Sequence, residues 1–396
     1  MTTDTASEQA PFRAAAIGVG ARVGLALHVK EVGGTVVAAV DPDPRTHERA
    51  ARLFGDIPVF ASVAELLASG IEIDGAFITT PDFTHAEVAI ELLEAGVPSY
   101  IEKPLAISIE DADRILETAY RTGTKVYVGH NMRHMQVVRM MKDIVDRGEI
   151  GEVKAIWCRH FVGHGADFYF KDWHADRART TGLLLQKGAH DIDVIHWLAG
   201  ASTRRVTAMG ALTLFGSGER SGRDDQRATE VAEPELWPPQ AHSRLHPTID
   251  VEDLSMALFE LENGVLASYE QCHYTPDYWR SYTVIGTHGR LENVGDMDDG
   301  EIHVWNRRHA GFAAPDEIHG FTGGVSDHGG ADEALVDEFI RYARDGGPTQ
   351  TSPIAARDAV AAGEAATFCL RAGGVPQDVP PAPATLRAAL EGNRER

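Results

Sequence analysis

The chain has 396 residues, with 37 Lys and Arg against 59 Asp and Glu, which gives a formal charge of −22. This acidic balance argues against nucleic acid and membrane surfaces as partners, because both are bound through an excess of basic residues. The three cysteines are widely separated, which leaves no disulfide framework and no CxxC metal motif. With no signal-peptide pattern and no apolar stretch of about 18 residues, we expect a cytoplasmic protein of two globular domains.

Short apolar runs alternate with helical patterns through residues 1–130, and this alternation predicts an α/β NAD(P)-binding domain of the Rossmann type. The six predicted strands cover residues 13–18, 35–40, 58–60, 75–80, 98–102 and 125–129. The helices predicted between them cover residues 22–32, 45–54, 62–68, 84–95 and 109–121. We expect the last of these helices to have Ser108 as its N-cap and to end before Gly123.

Residues 131–345 follow a different pattern, with a helix predicted at 136–147 and then longer strands joined by NG, GTHG and DDG turns. This pattern predicts an α+β domain with an open, mostly antiparallel sheet and one long helix over 181–198. The polar, Pro- and Gly-rich stretch 216–247 is expected to form a long surface loop. Residues 346–396 are expected to supply a C-terminal helix and tail that pack back on the first domain, with the residues from Pro380 onwards exposed.

The first predicted strand leads directly into a glycine-rich turn and a helix, Gly18-Val19-Gly20-Ala21-Arg22-Val23-Gly24. This is the context of a dinucleotide-binding turn. Gly18 permits the tight turn, Gly20 lets the backbone approach a pyrophosphate, and the first N–H groups of the helix face the anion. Val23 occupies the place of the third glycine, so the close packing of the helix on the strand cannot rely on a glycine at this position. A glycine-rich turn without a ligand is the alternative.

Asp41 ends the second predicted strand, 23 residues after Gly18. A carboxylate at about this spacing typically binds the ribose 2′-hydroxyl and repels a 2′-phosphate, so the sequence favours NAD over NADP. Arg45, four residues later, leaves NADP as an alternative. The other interpretation of Asp41 is a turn residue before Pro42, because Asp-Pro often opens a turn.

Three further motifs lie at the predicted carboxyl edge of the parallel sheet, where open α/β folds bind ligands. They are Thr79-Thr80-Pro81-Asp82-Phe83-Thr84-His85, Glu102-Lys103-Pro104 and Gly129-His130-Asn131-Met132-Arg133. With these motifs, the glycine turn and the run His190–Leu198, the chain resembles the glucose–fructose oxidoreductase/inositol dehydrogenase family (Gfo/Idh/MocA type), and within it the inositol and sugar dehydrogenase branch. The resemblance covers most of the chain and implies an NAD(P)-dependent dehydrogenase of sugars or cyclitols.

The resemblance implies catalytic roles for Lys103 and His190. It also implies substrate contacts for Asn131, Arg133 and His160, and it places a set of strand-end residues around the cofactor: Thr79, Thr80, Pro81, His85, Glu102 and Lys103. We expect hydride transfer between a sugar carbon and the nicotinamide. His190 would take the hydroxyl proton as general base, and Lys103 would orient the hydroxyl and stabilise negative charge on its oxygen.

One position departs from the family's D-x-G-x-H pattern, because Gln186 stands where the family has an Asp four residues before the histidine. On one continuous helix Gln186 and His190 would share a face, but a neutral amide cannot stabilise an imidazolium as a carboxylate does. Lys187 lies on nearly the same face, and a cation there would lower the pKa of His190 and keep the ring neutral. Gln186 and Lys187 are also candidates for contacts to substrate hydroxyls.

The segment around Trp173 interleaves aromatic and polar residues, as sugar sites do, so Trp173 is a candidate for the substrate site, with packing on the second domain as the alternative. Tyr278-Trp279-Arg280 allows either a sugar contact or a subunit contact. The His and Asp residues near Trp173 have no tight ligand spacing, so we expect no required metal.

Two other functions stay open for the chain. One is an NAD-using glycoside-cleaving enzyme that acts through transient oxidation of a ring carbon followed by elimination. The other is a non-catalytic NAD-sensing protein. Because an open sheet leaves a broad face to cover, we expect a homodimer or homotetramer.

Overall fold

The computed structural model describes residues 10–220, 237–297, 300–321 and 330–391. Within these ranges the chain forms two β-sheets, one of six strands and one of nine. The predicted combination of a Rossmann-type α/β part with an α+β part built on an open, mostly antiparallel sheet is confirmed.

The six-stranded sheet is parallel throughout and has the strand order β3-β2-β1-β4-β5-β6. Its strands are β1 (Phe12–Ile17), β2 (Gly34–Val40), β3 (Val59–Phe60), β4 (Gly75–Ile78), β5 (Ser99–Ile101) and β6 (Val126–Val128). Apolar side chains on both faces are buried, as expected of a parallel sheet covered by helices. The strand order reverses between β1 and β4, and ligands bind beyond the carboxyl ends of the strands at such a point.

Helices accompany this sheet on both faces. They are α1 (His47–Phe54), α2 (Val63–Ala68), α3 (His85–Glu94) and α4 (Ile109–Thr122). The predicted caps of α4 are confirmed, since the Ser108 hydroxyl accepts from the Asp111 N–H and Gly123 has φ = +70°. The helix predicted over residues 22–32 is confirmed, and it is a 3-10 helix that covers Ala21–Lys30. Val23 is fully buried there, so a side chain fills the space that a third glycine would leave between helix and strand.

The nine-stranded sheet has the order β14-β13-β12-β11-β7-β10-β9-β8-β15, and its neighbours are antiparallel except for the pair of β7 and β10. Its strands are β7 (Val153–Val162), β8 (Thr203–Ala211), β9 (Leu254–Leu261), β10 (Leu266–Cys272), β11 (Tyr278–Gly286), β12 (Arg290–Val294), β13 (Glu301–Trp305), β14 (Glu317–Gly320) and β15 (Gln377–Asp378). The two edge strands, β14 and β15, were not predicted because they are short and lack alternating apolar residues.

The remaining helices are α5 (Gln136–Asp146), α6 (Gly165–Phe168), α7 (Arg177–Thr180), α8 (Leu183–Gln186), α9 (Gly188–Ala199), α10 (Ala331–Asp345), α11 (Pro353–Arg371) and α12 (Ala384–Glu391). The single helix predicted over 181–198 is therefore wrong. Thr181 has φ = +64°, and the helix is interrupted at Lys187. At Gly188 an added Cβ would lie 3.1 Å from the Tyr269 ring, so the backbone approaches the sheet closely beside this interruption.

The C-terminal helix α11 contributes to two hydrophobic cores. Ile354 and Val360 pack with the core of the six-stranded sheet, whereas Ala361 and Ala365 pack with that of the nine-stranded sheet. The exposed tail predicted from Pro380 is wrong for its described part, because α12 packs on α4 and α11 and buries Leu386. Residues 221–236 of the predicted surface loop lie outside the described residues. No helix in the described ranges has both the length and the apolarity needed to cross a membrane.

Candidate active site

The glycine turn after β1 is tightly packed at its first glycine and open at its second. Gly18 has φ = +91°, and a Cβ there would lie 2.9 Å from the Thr80 backbone nitrogen. The Thr79 hydroxyl donates to the Gly18 carbonyl oxygen at 3.0 Å. At Gly20 an added Cβ would meet no atom within 4 Å. The open side of the turn, followed by the helical segment Ala21–Lys30, fits a dinucleotide pyrophosphate.

Asp41, which follows β2, lies against the same turn. Its Oδ2 accepts from the Val19 N–H at 2.8 Å, and its Oδ1 accepts from the Asp43 N–H at 2.9 Å. The second contact is the turn that the sequence offered as the other interpretation of Asp41, but a carboxylate retains lone pairs for a ribose hydroxyl. Arg45, because of which the sequence analysis kept NADP as an alternative cofactor, donates to the Asp43 carboxylate at 2.9 Å.

A charged cluster joins the strand ends of the first sheet to α10. Arg22 Nε donates to Glu102 Oε1 at 2.6 Å, and Arg22 Nη1 lies 2.9 Å from Asp332 Oδ2. Asn131 Nδ2 donates to the other Asp332 oxygen at 3.2 Å. These contacts fix Glu102 beside Lys103 and balance the charge of Arg22. The sequence analysis missed Asp332, because no motif surrounds it.

His85 holds two of the predicted motifs together. Its Nδ1 lies 2.9 Å from the Pro104 carbonyl oxygen, its Nε2 lies 3.0 Å from the Thr80 carbonyl oxygen, and the ring is fully buried. The Pro81 carbonyl oxygen accepts from the hydroxyl of Thr84 at 2.7 Å, directly before α3. The loop 79–81 and the segment 103–104 are therefore fixed side by side at the sheet edge.

Lys103 reaches from the first sheet to the helical segment of the second half. Its ammonium lies 3.5 Å from the carbonyl oxygen of Gln186, the last residue of α8. Burial lowers the pKa of Lys103 to about 8, and the charge of Lys187 acts in the same direction. Asp82 interacts with both Lys103 and Gln186, and burial raises the pKa of its carboxyl group. The sequence analysis included Asp82 in a motif but gave it no role.

His190 lies in the first turn of α9. Its side chain is buried, and its Nδ1 has no hydrogen-bond partner among the described residues. Burial lowers the pKa of His190 well below its usual value, and the charges of Lys103 and Lys187 lower it further. The imidazole is therefore neutral near pH 7 and able to accept a proton. In the described part of the chain no hydrogen bond joins the ring to Gln186.

Lys187 lies at the interruption between α8 and α9 and points towards the second sheet. Its ammonium donates to the Tyr278 hydroxyl at 3.1 Å and lies 5.4 Å from the centroid of that ring and 5.7 Å from that of Tyr169. Burial alone would raise the pKa of Tyr278, but the charges of Lys187 and Arg280 outweigh it and lower the pKa to about 8. The surroundings of the Lys187 ammonium and the Tyr278 hydroxyl thus contain two cations, Lys187 and Arg280.

His160, on β7, belongs to a buried network around Asp191. His160 Nδ1 lies 3.1 Å from Asp191 Oδ2, and Arg280 Nε lies 3.1 Å from Asp191 Oδ1. The Tyr269 hydroxyl also donates to Asp191 at 3.1 Å. Burial lowers the pKa of His160 to about 3. The sequence analysis missed Asp191 as the centre of this network, although its position directly after His190 was a usable signal.

Arg133 and Trp173, two candidates for substrate contacts, are held by other side chains. Arg133 makes a buried bidentate pair with Asp193, with both bonds at 2.7 Å. Trp173 stacks on His174 with ring centroids 3.7 Å apart, and Phe83 meets it edge-on at 5.8 Å. Arg133 therefore links the segment after β6 to α9, while Trp173 packs against the start of α3.

Two family models match this chain. The model described as an oxidoreductase family with an NAD-binding Rossmann fold matches residues 12–130, and the GFO/IDH/MocA C-terminal domain model matches residues 138–292. The chain belongs to the GFO/IDH/MocA oxidoreductase family. Its first domain is accordingly an NAD-binding domain, and the open glycine turn fits that cofactor.

Sequence relatives align with different fractions of this GFO/IDH/MocA protein. YteT of Bacillus subtilis (strain 168) is 24% identical over 391 residues, which cover 85% of this chain and 87% of YteT. The myo-inositol dehydrogenase Hyg17 of Streptomyces leeuwenhoekii is 31% identical over 200 residues, which cover 50% of this chain and 58% of Hyg17. The alignment thus spans little more than half of Hyg17.

The fold is shared with solved structures over most of their length. Levoglucosan dehydrogenase in complex with NADH and levoglucosan superposes with a TM-score of 0.74 at 18% identity, covering 93% of this chain and 100% of that one. At this identity the likeness establishes the common architecture.

Proposed function

We propose that this protein transfers a hydride between a hydroxyl-bearing carbon of a sugar, glycoside or cyclitol and the nicotinamide of NAD. The observation that carries the proposal is the meeting of Lys103, at the edge of the six-stranded sheet, with the helices α8 and α9. Lys103 contacts the Gln186 carbonyl four residues before His190, and its charge helps to lower the pKa of His190. Hyg17 is a myo-inositol dehydrogenase and the solved neighbour binds levoglucosan, and both names support a polyhydroxylated substrate.

In this proposal Lys103 donates a hydrogen bond to the reacting hydroxyl and stabilises negative charge as it develops on that oxygen. His190, kept neutral by burial and by nearby cations, accepts the hydroxyl proton as general base. The bound nicotinamide supplies the hydride acceptor. The contacts of Arg22 with Glu102 and of His85 with Pro104 hold the backbone on both sides of Lys103.

We propose that the remaining substrate contacts come from six residues: Gln186, Lys187, Asn131, His160, Arg133 and Trp173. Gln186 Oε1 and Asn131 Oδ1 are buried acceptors with no hydrogen-bond partner in the described residues. A buried acceptor without a hydrogen bond raises the free energy of the protein by about 1–3 kcal/mol, so a hydrogen bond from a substrate hydroxyl to either oxygen would favour substrate binding. Arg133 and His160, which are held by Asp193 and Asp191, would contribute mainly by positioning.

We propose NAD as the preferred cofactor over NADP. The Asp41 carboxylate lies against the glycine turn, where its charge would repel a 2′-phosphate. Arg45 is oriented by Asp43, which supports the same preference.

A glycoside-cleaving enzyme that oxidises a ring carbon transiently is the second candidate, and Asp82 favours it. Burial raises the pKa of its carboxyl group, and Asp82 Oδ2 has no hydrogen-bond partner among the described residues. A protonated carboxyl group near Lys103 would be able to protonate the oxygen of a leaving group. Product release without net NADH formation would distinguish this candidate from a dehydrogenase.

We also propose that the protein forms a homodimer or homotetramer through the outer face of the nine-stranded sheet. Exposed large apolar side chains share this face: Trp157, Met209, Met256, Leu258 and Leu266. A contiguous apolar patch of this kind marks an interaction surface. Sedimentation of Leu258→Asp should show smaller particles than the wild type, whereas equal particle size would contradict this assembly.

The test of the proposed function is NADH absorbance with a panel of myo-inositol, levoglucosan, D-glucose and methyl glucosides, with NAD and NADP supplied separately. We expect NADH formation with at least one free sugar or cyclitol and weaker activity with NADP. A protein that binds NAD yet neither reduces it nor cleaves any glycoside would contradict the proposal and favour NAD sensing.

A further inference from the structure

His130 is a buried histidine that has no role in the hydride transfer proposed above. It follows β6 and directly precedes the 3-10 turn Asn131–His134, and it is 2% exposed. Within the described ranges neither of its ring nitrogens has a hydrogen-bond partner. Because buried polar groups are normally hydrogen-bonded, two unmet nitrogens on one buried ring call for an explanation, and a role in catalysis is one such explanation.

The His130 ring lies next to that of the proposed general base. The centroids of the His130 and His190 rings are 6.4 Å apart, and the two planes meet edge to face at 77°. Nδ1 of His190 is also buried and without a hydrogen-bond partner in the described part of the chain. Two unmet imidazoles are therefore neighbours inside the protein, and a neutral imidazole has one nitrogen that donates and one that accepts a proton.

The same ring lies beside a carboxylate that stays ionised. His130 Nδ1 is 3.5 Å from Asp193 Oδ2. Burial alone would raise the pKa of Asp193, but the charge of Arg133 outweighs it and holds the pKa well below its usual value. Burial and the charge of Lys103, in contrast, lower the pKa of His190. These charges therefore favour a proton on His130 over one on His190.

Asp193 is the carboxylate that the neighbourhood offers to this pair of imidazoles. Gln186, four residues before His190, is neutral, and its Oε1 makes no hydrogen bond within the described residues. Asp193 lies three residues after His190 on the same helix and contacts His130 instead. The charged and titratable groups that face His130, or the residues beside it, are Asp193, His190 and His196 of α9, Arg133 of its own segment, and Asp332 and Glu338 of α10.

We propose that His130 takes the substrate proton from His190, so that the two histidines form a proton relay that ends beside Asp193. The inference rests on the proposed function, since it follows the proton that His190 removes. As the hydride leaves the carbinol carbon for the nicotinamide, the hydroxyl proton moves to one ring nitrogen of His190. The other ring nitrogen of His190 then gives a proton to the lone pair of His130, which becomes an imidazolium, and His190 is neutral again. Water accepts the proton from His130 after the product has left.

The relay affects the rate because a cation opposes a proton on His190. Since Lys103 lowers the pKa of His190, a proton that stayed on this ring would readily return to the substrate oxygen. Transfer to His130 removes the proton from the reach of that oxygen. The turnover number should therefore depend on His130, although this residue does not contact the reacting atoms.

The experiment compares His130→Phe and His130→Gln with the wild type, using the best substrate of the panel. Phe keeps a buried ring and Gln keeps polar atoms, but neither side chain carries a proton at neutral pH. We expect kcat to fall by about 100-fold in both variants, with the KM for substrate and the affinity for NAD changed by no more than a few-fold. The solvent deuterium isotope effect on kcat should increase, because proton transfer then limits turnover. kcat should also rise with pH across the neutral range, since hydroxide then removes the proton.

His134→Phe is the matched control. His134 belongs to the 3-10 turn that follows His130, and its Nε2 lies 3.5 Å from a carboxylate oxygen of Glu338 on α10. We expect this variant to keep the kcat, the solvent isotope effect and the pH profile of the wild type. Denaturant unfolding and NAD titration of all three variants check that each is folded.

The outcomes separate this inference from the proposed function. Wild-type kcat in both His130 variants would overturn the inference and leave the function standing. A lowered kcat with an unchanged solvent isotope effect and pH profile would also overturn it, because that result indicates a packing role. Activity retained in His130→Gln alone would do the same, because it indicates a polar contact without proton transfer. Absence of NADH formation by the wild type with every compound of the panel would instead count against the proposed function, and the inference would fall with it.

Discussion

We call the part of the candidate site around Gly18 and Arg22 the cofactor side, and the part around Lys103 and Lys187, where we propose that the substrate binds, the substrate side. The two sides differ in whether their charged groups form ion pairs. On the cofactor side Arg22 is paired with Glu102 and Asp332, two carboxylates from different parts of the chain. On the substrate side, within the described residues, Lys103 and Lys187 donate hydrogen bonds to neutral oxygen atoms. The charge of Arg22 on the cofactor side is therefore balanced by carboxylates of the protein. On the substrate side Lys103 and Lys187 form no ion pair among the described residues, so their positive charge is available to a ligand.

This difference has an energetic meaning. Buried cations without a carboxylate partner cost folding free energy, so a fold selected for stability alone would not place two of them together. The same cations lower the pKa of His190 and favour negative charge on a reacting oxygen. We infer that the substrate side gives up some stability for reactivity, and the following predictions test that contrast.

The largest effect is expected from Lys103→Met. Removing the ammonium should lower kcat by about 10²- to 10⁴-fold, because both hydroxyl orientation and stabilisation of negative charge are lost. NAD affinity should change much less, since the glycine turn is untouched. Steady-state kinetics and NAD titration measure the two quantities. Lys154→Met, at an exposed position on β7, is the control and should keep wild-type kinetics, whereas a fully active Lys103→Met enzyme would remove the catalytic assignment.

Two glycine substitutions separate packing from ligand binding on the cofactor side. Gly18→Ala should lower the free energy of unfolding by about 1–3 kcal/mol, because φ = +91° and the contact with Thr80 both oppose a Cβ. Gly20→Ala should leave stability within about 0.5 kcal/mol and weaken NAD binding by about 10-fold or more. Denaturant unfolding and NAD titration check both values. Unchanged NAD affinity in Gly20→Ala would place the pyrophosphate elsewhere.

A smaller, pH-dependent effect is expected at Gln186. Because the pKa of His190 is held well below its usual value, wild-type kcat/KM should stay constant down to mildly acidic pH. Gln186→Asp places a carboxylate four residues before His190, and its charge favours the protonated imidazole. The acid limb of the kcat/KM profile should therefore move to a higher pH, by about one unit. Gln186→Leu is the uncharged control. Identical acid limbs in Gln186→Asp and Gln186→Leu would show that the side chain does not reach His190.

The smallest effect is expected at Asp41. Asp41→Asn keeps an oxygen for the Val19 N–H but removes the negative charge, so the preference for NAD over NADP should fall by a few-fold with little loss of stability. Dissociation constants for both cofactors measure it. An unchanged ratio would mean that the turn contact with Asp43 is the main role of Asp41.

The same contrast explains what the sequence could predict. The cofactor side comes from contiguous motifs at strand ends, so a local pattern was sufficient to propose Gly18 and Asp41, whereas His85 and Lys103 were proposed from the family resemblance. The substrate side brings α8 and α9 against β7 and β11, so the sequence indicated a sugar contact for Tyr278 only as one of two alternatives and did not show that Asp191 lies at the centre of a buried network. The interruption at Lys187, where the ammonium points towards Tyr278, lies beside the close approach of Gly188 to Tyr269, a tertiary contact that the local sequence does not reveal.

The central claim is that Lys103 and His190 serve a direct hydride transfer to NAD. The most direct measurement uses the best substrate of the panel, deuterated at its carbinol carbons, and follows the label by mass spectrometry. The account predicts deuterium in the reduced nicotinamide and a lower rate than with the unlabelled compound, both abolished in Lys103→Met and His190→Ala. Deuterium found only in solvent or retained in the product, at an unchanged rate, would contradict it.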